Sequence, residues 1–506
     1  MADDATRAAL TAARAVLARW PGLAPARAEL DDIASGLAGP MRVALVGRVS
    51  AGKSTLANAL LGGYRAPTGA QELTYHVTWI RHGERPALTV HFRDGRPPLR
   101  EDIATLGRHV NRTDDPELAR LLPAIDHLEV TDPAPYLRSF DLVDTPGLDS
   151  VFGSDSENTL RFLGGPVDAM VLVVSRGLQA REPDLLADFQ GRTLTPSPIN
   201  ALAALTKVEH YWNWRDRRDP MEVGRGIAEQ MMAVPSVRRV VHEVRPVASL
   251  VGAAAAVMTE RDVADLRALA GLPADELARW VRRESSFEAP GRTEIAVAPG
   301  RRTRLWRTLS PYGIMLACDL LRDRRCDLAA LRDGLDDRTG MAAFRQLLAE
   351  HFGARAGLVM LNRAFARVQE LPAAMGEGRS PGERAALNAA AKEFSRYGLS
   401  QSPRFRELQT LRALYDGRLD LGEEDGAELL RVTGELGGST AARLGLPPGT
   451  GAEELSTQAR IRLAYWRERQ IWDGFAGPTR EAVRVLVKAY ERIVDSLGDM
   501  RWEETS

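Results

Sequence analysis

Gly47-Arg48-Val49-Ser50-Ala51-Gly52-Lys53-Ser54-Thr55 decides the fold. It reads G-x-x-x-x-G-K-S, the spacing of a phosphate-binding loop. Met41 to Val46, before it, is a mostly apolar run of strand length, and Leu56 to Leu61, after it, is mostly apolar and helix-forming. A chance match in a glycine-rich loop would lack that strand–loop–helix context. Gly47 and Gly52 permit a tight turn that brings backbone N–H groups against phosphate oxygens, and the following helix N-terminus adds partial positive charge. Lys53 is placed to reach the β- and γ-phosphates, and the Ser54 hydroxyl to ligate Mg²⁺. Ser50, Lys53 and Ser54 are candidate catalytic residues. Arg48, Val49, Ala51 and Thr55 complete the expected nucleotide contacts of the loop.

Further along, Phe140 to Val143 is apolar except for Asp141 and runs into Asp144-Thr145-Pro146-Gly147. Asp144 can hold Mg²⁺ through a water, and the Gly147 N–H can sense the γ-phosphate, so that its loop orders with triphosphate and relaxes after hydrolysis. D-T-P-G alone is a common turn; downstream of a phosphate loop it points to the GTPase branch. A threonine that closes over Mg²⁺ and the γ-phosphate is expected between the loop's helix and the next strand. Thr68 and Thr74 both lie there. Thr74, immediately before a β-rich run, is preferred as metal ligand and catalytic residue, and Thr68 beside Gly69 reads as a turn residue.

Ile199 to Leu205 then delivers Thr206-Lys207-Val208-Glu209. The pattern is close to [N/T]-K-x-D, in which the carboxylate accepts hydrogen bonds from guanine N1 and N2 and the lysine stem covers the base. Glu209 places its carboxylate one methylene further out. Guanine selectivity should persist in kind, because adenine's edge lacks the matching donors. Ser249, in Val247-Ala248-Ser249, stands where a base-contacting backbone loop is expected.

The chain has 506 residues, too many for one hydrophobic core. Hydrophobic residues at 44% and charged residues at 27% are ordinary soluble-globular values. Lys+Arg 67 against Asp+Glu 68 leaves a formal charge of -1, so no global field recruits nucleic acid or anionic lipid. The two cysteines, Cys318 and Cys326, have neither disulfide nor metal spacing around them and suit a reduced cytosolic protein. Met1-Ala2-Asp3-Asp4 has no basic leader, so no signal peptide is expected. No run reaches the ~18 to 20 apolar residues of a spanning helix; Val247 to Met258 is the nearest. Membrane contact would be peripheral.

Residues 4–38 predict two helices broken at Pro21-Gly22 and ended at Gly39-Pro40. From Met41 strand and helix patterns alternate: Tyr75 to Arg81, Ala87 to Phe92, Phe140 to Val143, Ala169 to Val174, Ile199 to Leu205 and Val244 to Val247 predict strands. The implied fold is an α/β P-loop GTPase domain with a mostly parallel sheet and helices on both faces, ending near 250. Beyond 250 only helical stripes occur. Phe344 to Val368 is one; as a single helix over 341–371 it would span roughly 45 Å at ~1.5 Å per residue. Others run from Leu455 to Trp466 and from Val483 to Leu497. The expected division is 1–39, helices packing with a helical stalk; 40–250, the GTPase domain; and 251–506, an all-α bundle or stalk.

Together these motifs, the N-terminal helices and the helical C-terminal half resemble the dynamin superfamily, and most of all the actinobacterial dynamin-like proteins of the isoniazid-inducible type. Thr74 to Gly83 resembles that family's switch segment. Pro311-Tyr312-Gly313-Ile314 and the segment Ser439 to Leu446 resemble landmarks of its helical domain. The resemblance implies GTP hydrolysis to GDP and phosphate with Mg²⁺, head-to-head self-association, a possible second dynamin-like partner, and work at the inner face of the plasma membrane against anionic lipids. Eukaryotic dynamins carry a glutamine where this chain has Val49, so slow basal hydrolysis raised by self-association is expected. Two stretches could meet lipid: Arg301, Arg302, Arg304 and Arg307 around Trp306, for which a solvated helix face or an intramolecular salt-bridge surface is the preferred reading, and the loop Pro372 to Arg379.

Other readings make different demands. A regulatory GTPase that switches protein partners without remodelling membranes would show no lipid tubulation. A ribosome-assembly GTPase would need a basic RNA-binding appendage, which the sequence lacks, so no nucleic-acid partner is expected. An ATPase or kinase would not need T-K-V-E after D-T-P-G.

Overall fold

A computed structural model describes residues 4–61, 76–110, 121–146, 167–175, 198–291, 295–323, 325–353, 355–401, 403–472 and 474–503. The chain forms two compact units. One comprises Met1–Met41, Leu194–Asn200 and Ala349–Ser506; the other comprises Arg42–Thr193 and Ala201–Leu348.

The second unit is built on a nine-stranded sheet. Its strands are β1 (Met41–Val46), β2 (Thr78–His82), β3 (Ala87–Phe92), β4 (Leu99–Glu101), β5 (Ile125–Asp132), β6 (Phe140–Asp144), β7 (Ala169–Ser175), β8 (Ala201–Thr206) and β9 (Val244–Pro246). Their order is β4-β3-β5-β2-β6-β1-β7-β8-β9. β1, β7, β8 and β9 pair parallel in sequence across the sheet. Every residue of β7 and β8 is buried except Ser175, as expected for central parallel strands covered on both faces. The other half is mixed: β2 runs parallel to β5 and antiparallel to β6, and β3 is antiparallel to both β4 and β5. There burial alternates, the mark of a half-solvated sheet.

The helices that follow β9 belong with the sheet. Leu172, Val174 and Leu205 share one buried cluster with Val251, Leu266, Leu277, Phe287, Leu309, Ile314 and Leu331. The unit therefore extends to Leu348, whereas the sequence placed the change near 250. Helical periodicity identifies an apolar stripe but does not say which core receives it.

In the first unit, helix Asp4–Leu17 packs on helix Pro381–Gln401 and on helix Ala24–Ala38, and Ala24–Ala38 packs on helix Ala356–Met375. A second cluster joins Leu429, Val432, Leu463, Trp466, Val483, Leu486 and Tyr490. Burying each such Leu or Val side chain contributes about 1.5–3 kcal/mol.

The expected single helix over 341–371 is not formed. Helix Met341–Leu348 gives way to one π-helical turn, Ala349–Gly353, before helix Ala356–Met375. The wide turn buries His351 and Phe352, and the change of unit falls at its first residue. His351 Nε2 lies 3.1 Å from the Ile199 carbonyl, and Asn200 Nδ2 donates to the Val359 carbonyl at 3.1 Å. These contacts fasten the turn Pro198–Asn200, which leads into β8, within the helical unit.

Candidate functional site

β1, β7, β8 and β9 run parallel, so their carboxyl ends share one edge, the edge at which open α/β sheets bind ligands. Gly47 follows β1, Lys207 follows β8, and Ser249 lies three positions past the end of β9. The sequence-predicted nucleotide contacts are thus gathered from distant parts of the chain.

The phosphate loop is fixed by backbone contacts. Gly47 is buried, and a Cβ there would stand 2.3 Å from the Val173 carbonyl oxygen, so no larger residue fits. Ser50 and Gly52 both have positive φ, 59° and 99°. That conformation costs Ser50 energy and is compatible with a loop whose N–H groups point inward. The Leu56 N–H donates to the Gly52 carbonyl at 2.8 Å, starting helix Lys53–Leu61. Lys53 is 7% exposed, and its ammonium donates to the carbonyls of Gly47 (3.1 Å) and Arg48 (3.0 Å). It lies over the loop.

Asp144 ends β6 and is wholly buried. The neighbouring Thr145 hydroxyl donates to the Leu45 carbonyl at 2.7 Å, pinning this strand end to β1. A serine hydroxyl and an aspartate carboxylate are hard oxygen donors, so Ser54 and Asp144 fit a Mg²⁺ ion by ligand type. Thr68, Thr74 and Gly147 lie outside the described residues.

Strand β8 is tied to the phosphate loop by Thr206. Its hydroxyl lies 2.6 Å from the Ala51 carbonyl and 3.0 Å from that of Val174, and it is fully buried. Lys207 then adopts the left-handed conformation (φ 59°, ψ 23°) and turns the chain into Val208–Tyr211. Glu209 is 4% exposed, and among the described residues nothing hydrogen-bonds its Oε2. Burial pushes its carboxyl up to about 7; a backbone N–H and the charge of Lys207 pull the other way without prevailing. An acceptor held dry and partnerless is what a guanine edge, with its two donors, would satisfy. Ser249 is buried at the first turn of helix Ser249–Val257.

Two contributors were not read from the sequence. In the sequence Thr145 is no more than the second residue of a turn motif. Arg345 donates to the Ala59 carbonyl at 3.1 Å, near the end of the phosphate-loop helix, and pairs with Asp336. It is more than 280 positions away in sequence, so no local signal could reveal it.

Three of the cluster's four arginines, Arg301, Arg304 and Arg307, are ion-paired within the protein. Arg301 pairs with Asp262 at 2.7 Å and Asp265 at 2.6 Å, Arg304 with Asp262 at 2.9 Å, and Arg307 with Glu284 at 2.6 Å. Arg302 is 1% exposed and donates to the Ala289 carbonyl, and the Trp306 N–H donates to that of Val281. This face is the salt-bridged surface of the preferred reading. None of the described helices is long and apolar enough to cross a membrane.

Strand, phosphate loop, lysine-led helix, buried acidic strand end and carboxylate-bearing β8 turn define a P-loop GTPase domain. Residues 43–182 match the dynamin family. Isoniazid-induced protein IniC of Mycobacterium tuberculosis is 31% identical over 506 residues, spanning 94% of both chains. Dynamin-like protein 2 of Campylobacter jejuni is 31% identical over 122 residues, 24% of this chain and 19% of its own. A solved structure of an oligomerised bacterial dynamin pair aligns with 99% of this chain and 92% of its own, at 12% identity and a TM-score of 0.35. The chain belongs to the dynamin family as a bacterial dynamin-like protein of the isoniazid-induced type.

Proposed function

We propose that the chain binds and hydrolyses GTP with Mg²⁺, slowly when alone, and couples nucleotide-dependent self-association to movement of its helical unit at the cytoplasmic membrane. The observation that carries the guanine assignment is the buried Oε2 of Glu209, without a hydrogen-bond partner among the described residues, on the turn that follows Thr206, itself bonded to the phosphate loop. Lys53 would neutralise the β- and γ-phosphates, the loop N–H groups would cradle them, and Lys207 would cover the base. Ser54, Asp144 and Thr74 would hold Mg²⁺, which when bound neutralises charge developing on the transferred phosphoryl group. Val49 offers no hydrogen-bonding atom to position water, which supports a slow basal rate. The test is hydrolysis of GTP against ATP at several protein concentrations. Turnover of GTP alone, rising per molecule with concentration, is expected; equal use of ATP, or a rate independent of concentration, would overturn the proposal.

The ion-paired arginine face favours a second reading, in which a GTPase switch acts through protein partners and does no lipid remodelling of its own. A second dynamin-like chain is the partner this reading supports, with peripheral contact to anionic lipid supplied by that partner. Liposome tubulation by the purified chain with GTP separates the two: tubules from the chain alone exclude the switch.

A further inference from the structure

We infer that the helical unit carries a second ligand site, for a small phosphate ester whose body bears hydroxyl or ammonium donors. It lies among helices Glu423–Val432, Thr440–Leu444, Ala452–Trp472 and Gly477–Glu503. These residues frame a pocket of about 550 Å³, within the ~300–1,000 Å³ range of small-molecule sites.

The pocket floor is fully committed. Glu428 is 4% exposed and accepts from Arg462 Nε at 2.7 Å, Trp466 Nε1 at 2.9 Å and the Tyr490 hydroxyl at 2.5 Å. Burial opposes its ionisation, but those donors outweigh it and hold the carboxyl below its ordinary value. Beside it Asp425 pairs with Arg469 at 2.6 Å. The charges of both pairs cancel within the protein, so they build the pocket without recruiting a ligand.

Arg431 is different. It lines the same pocket, its Nε is buried, and among the described residues nothing accepts from that N–H. No ion pair with a described carboxylate neutralises it. Its side chain lies over Gly445, where a Cβ would stand 3.1 Å from Cδ and Nε. Gly445 closes its helix in the left-handed conformation (φ 72°) and leaves that space open. The family landmark Ser439 to Leu446 is therefore the wall that seats this arginine.

A desolvated cationic N–H without an acceptor is costly, and an anion is its natural complement. The volume exceeds that of a bare ion. Gln458 can add an amide donor to a phosphate oxygen, and Glu424 offers acceptors to a hydroxyl or ammonium on the ligand's body. Free phosphate esters and phospholipid headgroups share this chemistry.

The test uses full-length protein and Arg431→Gln. Glycerol 3-phosphate is titrated calorimetrically, with inorganic phosphate alongside, and phosphatidylglycerol vesicles are co-sedimented. The melting transition of the helical unit, followed by circular dichroism, reports folding; Arg431→Met, which removes the charge and keeps most of the stem, replaces the glutamine variant if that one fails to fold. Saturable glycerol 3-phosphate binding, weakened about tenfold or more by the substitution, supports a free ester. Vesicle binding with the same sensitivity, and no saturation by the free ester, supports a headgroup. Inorganic phosphate binding as tightly as the ester, or no ester binding together with vesicle binding indifferent to Arg431, overturns the inference.

Discussion

Lowering pH should weaken GTP binding through Glu209. In the free protein its carboxyl is pushed up from an ordinary 4.5 to about 7 by burial. Guanine presents two donors, N1–H and N2–H, and only the ionised carboxylate offers two acceptors to match. Binding then selects the ionised form, and apparent affinity scales with its fraction. With a value of about 7, that fraction is near 0.9 at pH 8 and near 0.1 at pH 6. The expected loss over this interval is about tenfold, or about 1.4 kcal/mol. Affinity should level off above about pH 8.

The same carboxyl affects stability with the opposite sense. A folded-state value above the unfolded one means that stability is fully present below about 4.5 and is lost as pH rises through about 7. The difference, 7 minus 4.5, is 2.5 units, and at ~1.4 kcal/mol per unit the nucleotide-free protein loses about 3 kcal/mol by pH 8. Glu209→Gln should therefore raise the melting temperature of the nucleotide-free protein at pH 8 while reducing GTP affinity, a stability gained at the expense of recognition. The assay is equilibrium titration of a fluorescent GTP analogue from about pH 5.5 to pH 8.5 at fixed ionic strength. Nucleotide phosphates also titrate in this range, so the informative quantity is the ratio of wild-type to Glu209→Gln affinity. A ratio independent of pH, or a glutamine variant that binds GTP as well as wild type, would refute the assignment.

Lys53→Ala should lower GTP affinity by tenfold or more, the worth of charge-assisted hydrogen bonds to phosphate, as read by the same titration. Gly47→Ala forces a Cβ against the Val173 carbonyl and should destabilise the sheet unit by about 1–3 kcal/mol, lowering its melting transition and abolishing nucleotide binding. Thr206→Val removes the hydroxyl that bonds the Ala51 and Val174 carbonyls; about 1–3 kcal/mol of stability should go, with GTP affinity falling alongside. Replacing Arg301 and Arg304 by Ala should leave vesicle co-sedimentation unchanged but lower thermal stability, because Asp262, with its side chain 5% exposed, then loses both cationic partners and keeps only its hydrogen bonds from Thr259.

Local signals were legible and remote ones were not. The phosphate loop, D-T-P-G and T-K-V-E each declare themselves within nine residues, and the runs in β7 and β8 are apolar throughout because both faces are covered. β5 went unread. Its sequence, Ile-Asp-His-Leu-Glu-Val-Thr-Asp, alternates, but the half-solvated face carries charged and imidazole groups that mask a strand pattern. β4 has only three residues and owes its existence to pairing with β3. The arginines at 301, 304 and 307 were visible as a basic cluster, yet their partners lie 23 to 42 positions earlier, and charge neutralisation is a property of the packed state.

The helical unit shows why apolar stripes alone did not specify it. A stripe fits a neighbouring helix at several offsets, since one leucine replaces another at modest cost. Charged and amide groups in the interior remove that freedom. Arg355, 7% exposed, pairs with Glu435, which also accepts from the Tyr415 hydroxyl at 2.7 Å; burial draws the Arg355 guanidinium down to about 10. Asn362 donates to Asn200, and Glu428 gathers Arg462, Trp466 and Tyr490. Such groups contribute little net stability, because desolvation offsets their attraction, but a shift of one helical turn would strand each of them unpaired. Displacing even one costs about 3–5 kcal/mol when a buried charge is left alone. The helices are thus held to one register by their polar contacts. For a protein proposed to move this unit with its nucleotide state, that argues for motion as a body, with the π-helical turn at Ala349–Gly353 as the place where the chain leaves one unit for the other.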